Sequence, residues 1–170
     1  MRRTLFLTLL AALAVPATAA ALKLAPGDGT LSVRNGEGFV SLNLRGAVIG
    51  KIGAGTLEID IAENEECASL SVFGEERKGE RLKLVDLNVV RTVCVFGGTD
   101  IRFRLVSGHQ ILRIRKAREV GVSAVGKGFV VLKGAGGLQD GQYALNGEDY
   151  ASLPDELERF QLAAPTTPAE

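Results

Sequence analysis

The sequence predicts an all-β fold, and three observations support this prediction. Apolar and polar residues alternate along most of the chain, as in antiparallel strands with one buried and one solvated face. Between the N-terminal segment and residue 150, no stretch has the apolar period of a helix. A Gly-x-Gly motif followed by alternating apolar residues occurs four times, starting at residues 27, 36, 53 and 126. We expect one antiparallel β-sandwich or partly closed barrel of about 8–10 strands, with a β-solenoid as the alternative.

The first 19 residues have the features of a secretory signal peptide. Met1–Arg3 is basic, Leu5–Val15 is apolar, and Ala17–Ala19 is a cleavage motif of the A-x-A type. The apolar run is shorter than the ~20 residues of a spanning helix, so we expect cleavage near Ala19 and no membrane span in the mature chain. The expected parts are a signal peptide at 1–19, a β-domain at 20–162 and a disordered tail at 163–170. The mature protein is then exported to the cell envelope or the exterior.

Composition limits the class of partner. Hydrophobic residues make up 46% of the chain, which is too many for a disordered protein. The formal net charge is zero, and loss of Arg2 and Arg3 with the signal peptide makes the mature chain slightly acidic. Nucleic-acid binding is therefore not expected, because such proteins are normally basic overall.

The first half of the β-domain is expected to consist of short strands joined by turns. Each Gly-x-Gly motif would be a turn that starts a strand, and Asn35-Gly36 is a strong hairpin signal. The charged runs Glu63–Glu66 and Glu75–Arg81 are expected to be solvated turns or loops. The apolar positions expected to face the core are Leu31 and Val33, then Val40, Leu42 and Leu44, and then Leu57, Ile59 and Ile61. A short strand is expected over Ala68, Leu70 and Val72.

The second half continues this pattern. A β-prone run from Leu82 to Phe96 ends at Gly97-Gly98, and Ser107–His109 is expected to be the turn of a hairpin. The inward positions of that hairpin would be Ile101, Phe103, Leu105, Leu112 and Ile114. Further strands are expected at 120–125, 129–132 and 141–145, and a helical turn at 154–160.

Two segments of this half resemble a group of small exported bacterial β-proteins. Thr99–Leu105 matches an I-R-F-R-L strand, Val122–Gly128 matches an S-A-V-G-x-G turn, and residues 29–33 match an opening G-x-L-x-V strand. The resemblance covers most of residues 28–147. It implies an exported β-rich domain and assigns no functional residues.

The only two cysteines are Cys67 and Cys94. An even number of cysteines in an exported chain predicts a disulfide, and two buried free thiols are the alternative. With a single histidine, His109, the chain lacks the close ligand spacing of a zinc site, so no metal is expected.

No catalytic residue or cofactor is expected. His109 is most simply a surface residue of a turn, and nothing resembles the nucleophile of a serine or cysteine hydrolase. The Gly-x-Gly motifs precede strands, whereas a dinucleotide-binding loop opens a helix. Paired carboxylates such as Glu58 and Asp60 could serve a hydrolase, but their alternation predicts an outward strand face. The expected function is a non-catalytic exported binding or structural module; the alternative is a small secreted hydrolase with an unrecognised carboxylate site.

Four arginines form the candidate ligand-binding face. Arg102 and Arg104 lie on one strand of the expected Ser107–His109 hairpin, and Arg113 and Arg115 lie on the other. Strict alternation would crowd all four on one face, where like charges repel unless a ligand or acidic neighbours offset them. Either the face binds an anionic envelope polymer, or acids such as Glu58 and Asp60 pair with the arginines. Another protein is the remaining candidate partner.

Overall fold

The computed structural model describes residues 27–74, 79–86, 89–137 and 140–163. Within them the chain is almost entirely strand, with one short 3-10 turn at Cys67–Ser69, so the predicted all-β fold is confirmed. The signal segment and all but the first residue of the expected tail lie outside the described residues. The strands are β1 Gly29–Ile61, β2 Val72–Phe73, β3 Glu80–Asp86, β4 Val89–Leu105, β5 His109–Gly134, β6 Gln142–Leu145, β7 Ala151–Ser152 and β8 Glu158–Leu162.

All strand pairs are antiparallel and belong to one sheet. Its main path runs β2-β4-β1-β5-β8 and does not close; β3 pairs with β4, β6 with β1, and β7 with β6. The eight strands lie at the lower end of the predicted number because β1, β4 and β5 each join segments expected to be separate strands. β1 alone has 33 residues.

The three long strands bend, and their pairing register divides the sheet into two layers. Layer 1 contains the segments 38–45, 56–61, 92–97, 109–117 and 127–134, with β3 and β8 at its edges. Layer 2 contains the segments 29–33, 46–52, 101–105 and 120–126, with β2 at one edge and β6 and β7 at the other. Buried residues of both layers form one hydrophobic cluster, so the layers pack face to face as a sandwich.

Glycines make the bends. Gly38, Gly55 and Gly126 have φ of 126°, 144° and 153°, a region that is nearly closed to other residues. Only the motif at Gly27–Gly29 precedes a strand as expected; the other three copies lie inside β1 or β5, so their prediction as turns is wrong. Cross-strand pairing continues at such bends, as at Gly46 opposite Gly126, and a paired neighbour keeps the chain from reversing.

Two further local predictions are wrong for related reasons. Asn35-Gly36 is not a hairpin turn but part of a bend within β1, with Asn35 at φ 48°. Residues 154–160 contain no helical turn, because Glu158–Phe160 begin β8. There the Phe160 ring lies 5.2 Å from the ring of Tyr143, and burial raises the pKa of the Tyr143 hydroxyl.

The core follows the predicted alternation. Its largest fully buried side chains come from every long strand: Leu31, Leu42, Leu44, Ile52, Leu57, Ile59, Phe96, Ile101, Leu112, Ile114, Leu132 and Leu162. Ile61 and Leu70 are only partly buried and pack at the margin of this cluster. The strand expected over Ala68, Leu70 and Val72 is wrong for its first part, because Ala68 is exposed in the 3-10 turn and only Val72 belongs to a strand. Because burial alternates with exposure along each segment, each layer also has an outer face available to solvent.

The predicted disulfide between Cys67 and Cys94 is confirmed, with the sulfur atoms 2.11 Å and the Cα atoms 5.5 Å apart. It ties the 3-10 turn to the middle of β4. The acidic segment before this turn is also attached to β3, because Lys83 Nζ donates to Glu63 Oε1 at 2.9 Å and Arg81 donates to the Glu63 carbonyl. The hydrogen bond from Lys83 lowers the pKa of the Glu63 carboxyl.

Candidate anion-binding face

The structure separates the four predicted arginines into two pairs. Ser107 and Gly108 do form a turn, with φ of 66° and 90°, but β4 and β5 do not pair with each other across it. Instead, both pair with β1, because the turn carries the chain from layer 2 to layer 1. The expected crowding of all four guanidinium groups on one face is therefore wrong.

Arg113 and Arg115 lie on the outer face of layer 1 beside acids of β1. Arg113 Nη1 is 3.0 Å from Asp60 Oδ1, and Arg115 Nε is 2.9 Å from Glu58 Oε1. Asp60 also accepts from Arg91 at 3.0 Å. For this half of the set, the predicted pairing with Glu58 and Asp60 is confirmed, and the two carboxylates named for a hydrolase have arginine partners.

The Asp60 side chain is only 12% exposed and bridges two guanidinium groups. Replacing Asp60 with asparagine should reduce the free energy of unfolding by ~1–3 kcal/mol, since Arg91 and Arg113 would keep partly desolvated charges without a counterion. Chemical denaturation measures this loss. Glu63→Gln is the control, because the exposed pair with Lys83 should contribute nothing resolvable. Equal effects of the two substitutions would contradict the bridging role.

Arg102 and Arg104 lie on the outer face of layer 2, where their cross-strand neighbours are not acids. Lys51 of β1 is directly opposite Arg102, and Ile49 is directly opposite Arg104. All three cations are exposed. Arg102 pairs with Asp100 at 2.8 Å, whereas Lys51 and Arg104 form no ion pair within the described part of the chain. Sequence reasoning missed Lys51 because the register between β1 and β4 cannot be read from local patterns.

An exposed aromatic ring borders these cations. Phe73 of β2 is directly opposite Arg102 and is 64% exposed. Four large apolar side chains are exposed in the described residues, and two of them, Phe73 and Ile49, lie on this surface. We call the surface formed by Ile49, Lys51, Phe73, Arg102, Arg104, Gly121 and Ser123 the basic face.

The centre of the basic face is shallow because its side chains are small. Gly121 is opposite Lys51, and Ser123 is opposite Ile49. Together with their neighbours they line a depression of about 400 Å³ that is open to solvent. Such a surface can hold several groups of an extended ligand, whereas a small substrate is normally enclosed by a deeper pocket.

The electrostatics of the basic face are unfavourable without a ligand. Lys51 and Arg102 are like charges in directly opposite strand positions, which destabilises a sheet. In water the repulsion is only ~1 kcal/mol, so the fold tolerates it while the face stays solvated. A second opposed basic pair, Arg45 and Lys127, lies at the Gly126 bend of layer 1. The ring directly opposite Arg45 is the imidazole of His109, and no exposed phenylalanine or tyrosine of the described residues accompanies the pair, which makes it a useful control.

The remaining sequence candidates have local roles. His109 is exposed, as predicted, and is the first residue of β5, directly after the Ser107-Gly108 turn; its Nε2 is 2.7 Å from Asn43 Oδ1. A polar groove near the β6–β7 edge contains Asp140, whose carboxylate accepts from the backbone of Gly136 and Gly137. In the described residues, no three His, Cys, Asp or Glu side chains are placed to hold a metal ion. No helix in this part of the chain is long and apolar enough to cross a membrane.

Comparison with protein-family models, curated proteins and solved structures found no match for this chain. The resemblance to small exported β-proteins therefore stays a prediction. The class of the protein is defined by its own structure: an all-β, disulfide-bonded sandwich with one basic face. On that face Arg102 pairs with Asp100, whereas Lys51 and Arg104 form no ion pair among the described residues.

Proposed function

We propose that the protein is an exported, non-catalytic module that binds an anionic polymer of the cell envelope or exterior. The observation that carries this proposal is the cluster of Lys51, Arg102 and Arg104 in neighbouring positions of layer 2. The cluster is solvated and adjoins an exposed phenylalanine, and its charges are not neutralised by an acidic strand. An anionic ligand would remove the repulsion that the unliganded sheet bears.

Export is supported by the predicted signal peptide and by the Cys67–Cys94 bond. Disulfides persist in oxidising compartments outside the cytosol. Binding partners in those compartments include polymers with repeated carboxylate, phosphate or sulfate groups, which supply several negative charges to one surface.

The spacing of the cations suits a repeating ligand. Directly opposite residues have Cβ atoms about 5 Å apart, so Lys51 and Arg102 can contact one anionic group or two adjacent ones. Arg102 and Arg104 are two positions apart on one strand, which separates them by roughly 7 Å. Each exposed contact is weak, and binding therefore depends on several contacts made at once by the same chain.

Replacing Lys51, Arg102 and Arg104 together with glutamine tests the proposal. Three exposed charge contacts of ~0.5 kcal/mol each correspond to about tenfold weaker binding of dextran sulfate at low salt. The variant should also have a salt dependence of log K that is less steep by about three. Titration calorimetry at several salt concentrations measures both quantities, and circular dichroism shows whether the variant keeps its fold.

The matched control replaces Arg45, Lys127 and Lys133, which are exposed cations outside the basic face. It removes the same number of charges, including an opposed pair, and should retain wild-type affinity within about twofold. Equal weakening of the two triple variants would show that net charge, not the basic face, governs binding. Wild-type protein that ignores dextran sulfate even at low salt would overturn the proposed function.

A further inference from the structure

Four residues of the basic face lie on one line across the strands of layer 2. Phe73 is opposite Arg102, Arg102 is opposite Lys51, and Lys51 is opposite Gly121. With neighbouring strands about 4.8 Å apart, this line is roughly 14 Å long. It begins with an apolar ring, continues with two cations and ends at a position without a side chain.

From this order we infer that the polymer is an acidic polysaccharide that crosses the strands along this line, with one sugar ring packed on Phe73. The inference rests on the proposed function and names the class of its ligand. The C–H face of a sugar ring can cover the exposed phenyl ring, and a carboxylate or sulfate on the same or the next sugar reaches Arg102 and Lys51. A polymer made only of phosphate has no apolar surface to offer Phe73.

The position of Gly121 supports the inferred direction of the polysaccharide across the strands. A Cβ atom built there would lie 3.5 Å from Lys51 Cγ, so the lysine stem extends over the glycine. The glycine φ is outside the left-handed region, and other residues can therefore adopt its conformation. Because Gly121 has no side chain, the Lys51 stem can lie low over it, and the surface stays flat between Lys51 and the next strand, where a sugar ring can continue.

The strand beyond Gly121 is the first segment of β1, and it contacts a second aromatic ring. The hydroxyl groups of Tyr150 and Ser32 share a hydrogen bond of 2.7 Å. The guanidinium of Arg34 lies 4.1 Å from the centre of the Tyr150 ring. Arg34 follows Val33, which is opposite Val122, the residue next to Gly121. A polysaccharide that continues beyond Gly121 in the same direction therefore meets another cation and another ring, and the line of contacts becomes about 19 Å long.

Phe73→Ala tests the sugar assignment with two probes, heparin as a sulfated polysaccharide and long-chain inorganic polyphosphate. Heparin binding should weaken by about two- to tenfold, the range expected for loss of one aromatic packing contact, while polyphosphate binding should not change. Phe73 is mostly exposed, so the variant should fold normally, and its thermal midpoint provides the check.

The outcomes separate the two claims. Unchanged heparin binding by Phe73→Ala, or equal weakening of both probes, would overturn the polysaccharide assignment and leave the basic face as a general anion site. Failure of the wild-type protein to bind either probe would overturn the proposed function itself.

Gly121→Thr tests the path of the chain, because it adds a β-branched side chain at the end of the line without removing a charge. It should weaken heparin binding by at least about twofold, since the added side chain occupies the track. Gly97→Thr is the matched control. It adds the same side chain on layer 1, where Gly97 has open space around its Cα atom and a φ that other residues adopt, and it should bind as wild type. Unchanged affinity in Gly121→Thr would overturn the crossing direction.

Discussion

Replacing Gly128 with alanine is expected to destabilise the protein more than any other single change considered. The residue has φ of 154°, and a Cβ atom there would lie 2.2 Å from the Asn43 carbonyl oxygen and 2.6 Å from Leu44 Cα. Both neighbours are backbone atoms of a paired strand, so neither can move aside cheaply. Backbone strain of ~1–3 kcal/mol adds to overpacking of ~1–3 kcal/mol.

The expected loss of about 2–6 kcal/mol is a large share of the 5–15 kcal/mol that stabilises a typical domain. Urea denaturation followed by circular dichroism measures it. Gly97→Ala is the control, because Gly97 lies near the β4 bend but has open space around its Cα atom and a φ that other residues adopt. A Gly128→Ala variant as stable as Gly97→Ala would show that position 128 does not need glycine.

Removal of the disulfide is the second large effect. Cys67 and Cys94 are 27 positions apart, and closing a loop of this length is valued at about 3–4 kcal/mol in the chain-entropy model. The double variant Cys67→Ala, Cys94→Ala should lose approximately that amount. Part of the loss arises because the 3-10 turn would no longer be attached to β4.

Denaturation of the oxidised protein, the reduced protein and the double variant gives the comparison. The reduced protein and the double variant should have similar free energies of unfolding, since neither contains the disulfide. An oxidised protein no more stable than either would contradict a contribution from this disulfide. The triple glutamine variant of the basic face should be at least as stable as the wild type, because it removes the repulsion between Lys51 and Arg102 and loses only the exposed Arg102–Asp100 pair.

The alternation of apolar residues predicts much of this fold. The inward positions of the first strands, such as Val40, Leu42 and Leu57, are buried as expected, because burial depends on the two-residue period of a strand. The Gly-x-Gly motif correctly indicates special backbone positions at Gly126 and Gly128, but it predicts a turn where the chain bends within β5. A glycine motif has the same local sequence whether the chain reverses or bends, and only the paired partner decides between them.

The candidate site depended on long-range register, which local sequence does not encode. Arg102 and Arg104 were correctly placed on an outer face, but their expected neighbours lie in the other layer. Lys51 and Phe73 were missed because neither belongs to a recognisable motif. Their placement beside Arg102 requires knowing that β1 and β2 both pair with β4, across sequence separations of about 50 and 30 residues.

One measurement tests the basic face most directly: titration of the isotope-labelled protein with a short heparin oligosaccharide, followed by amide chemical shifts. The largest shifts are expected at residues 49–51, 73, 102–104 and 121–123, and they should diminish as salt is added. Residues around Arg113 and Glu58 on layer 1 should stay unchanged. Shifts concentrated on layer 1, or no shifts at low salt, would contradict anionic-polymer binding by the basic face.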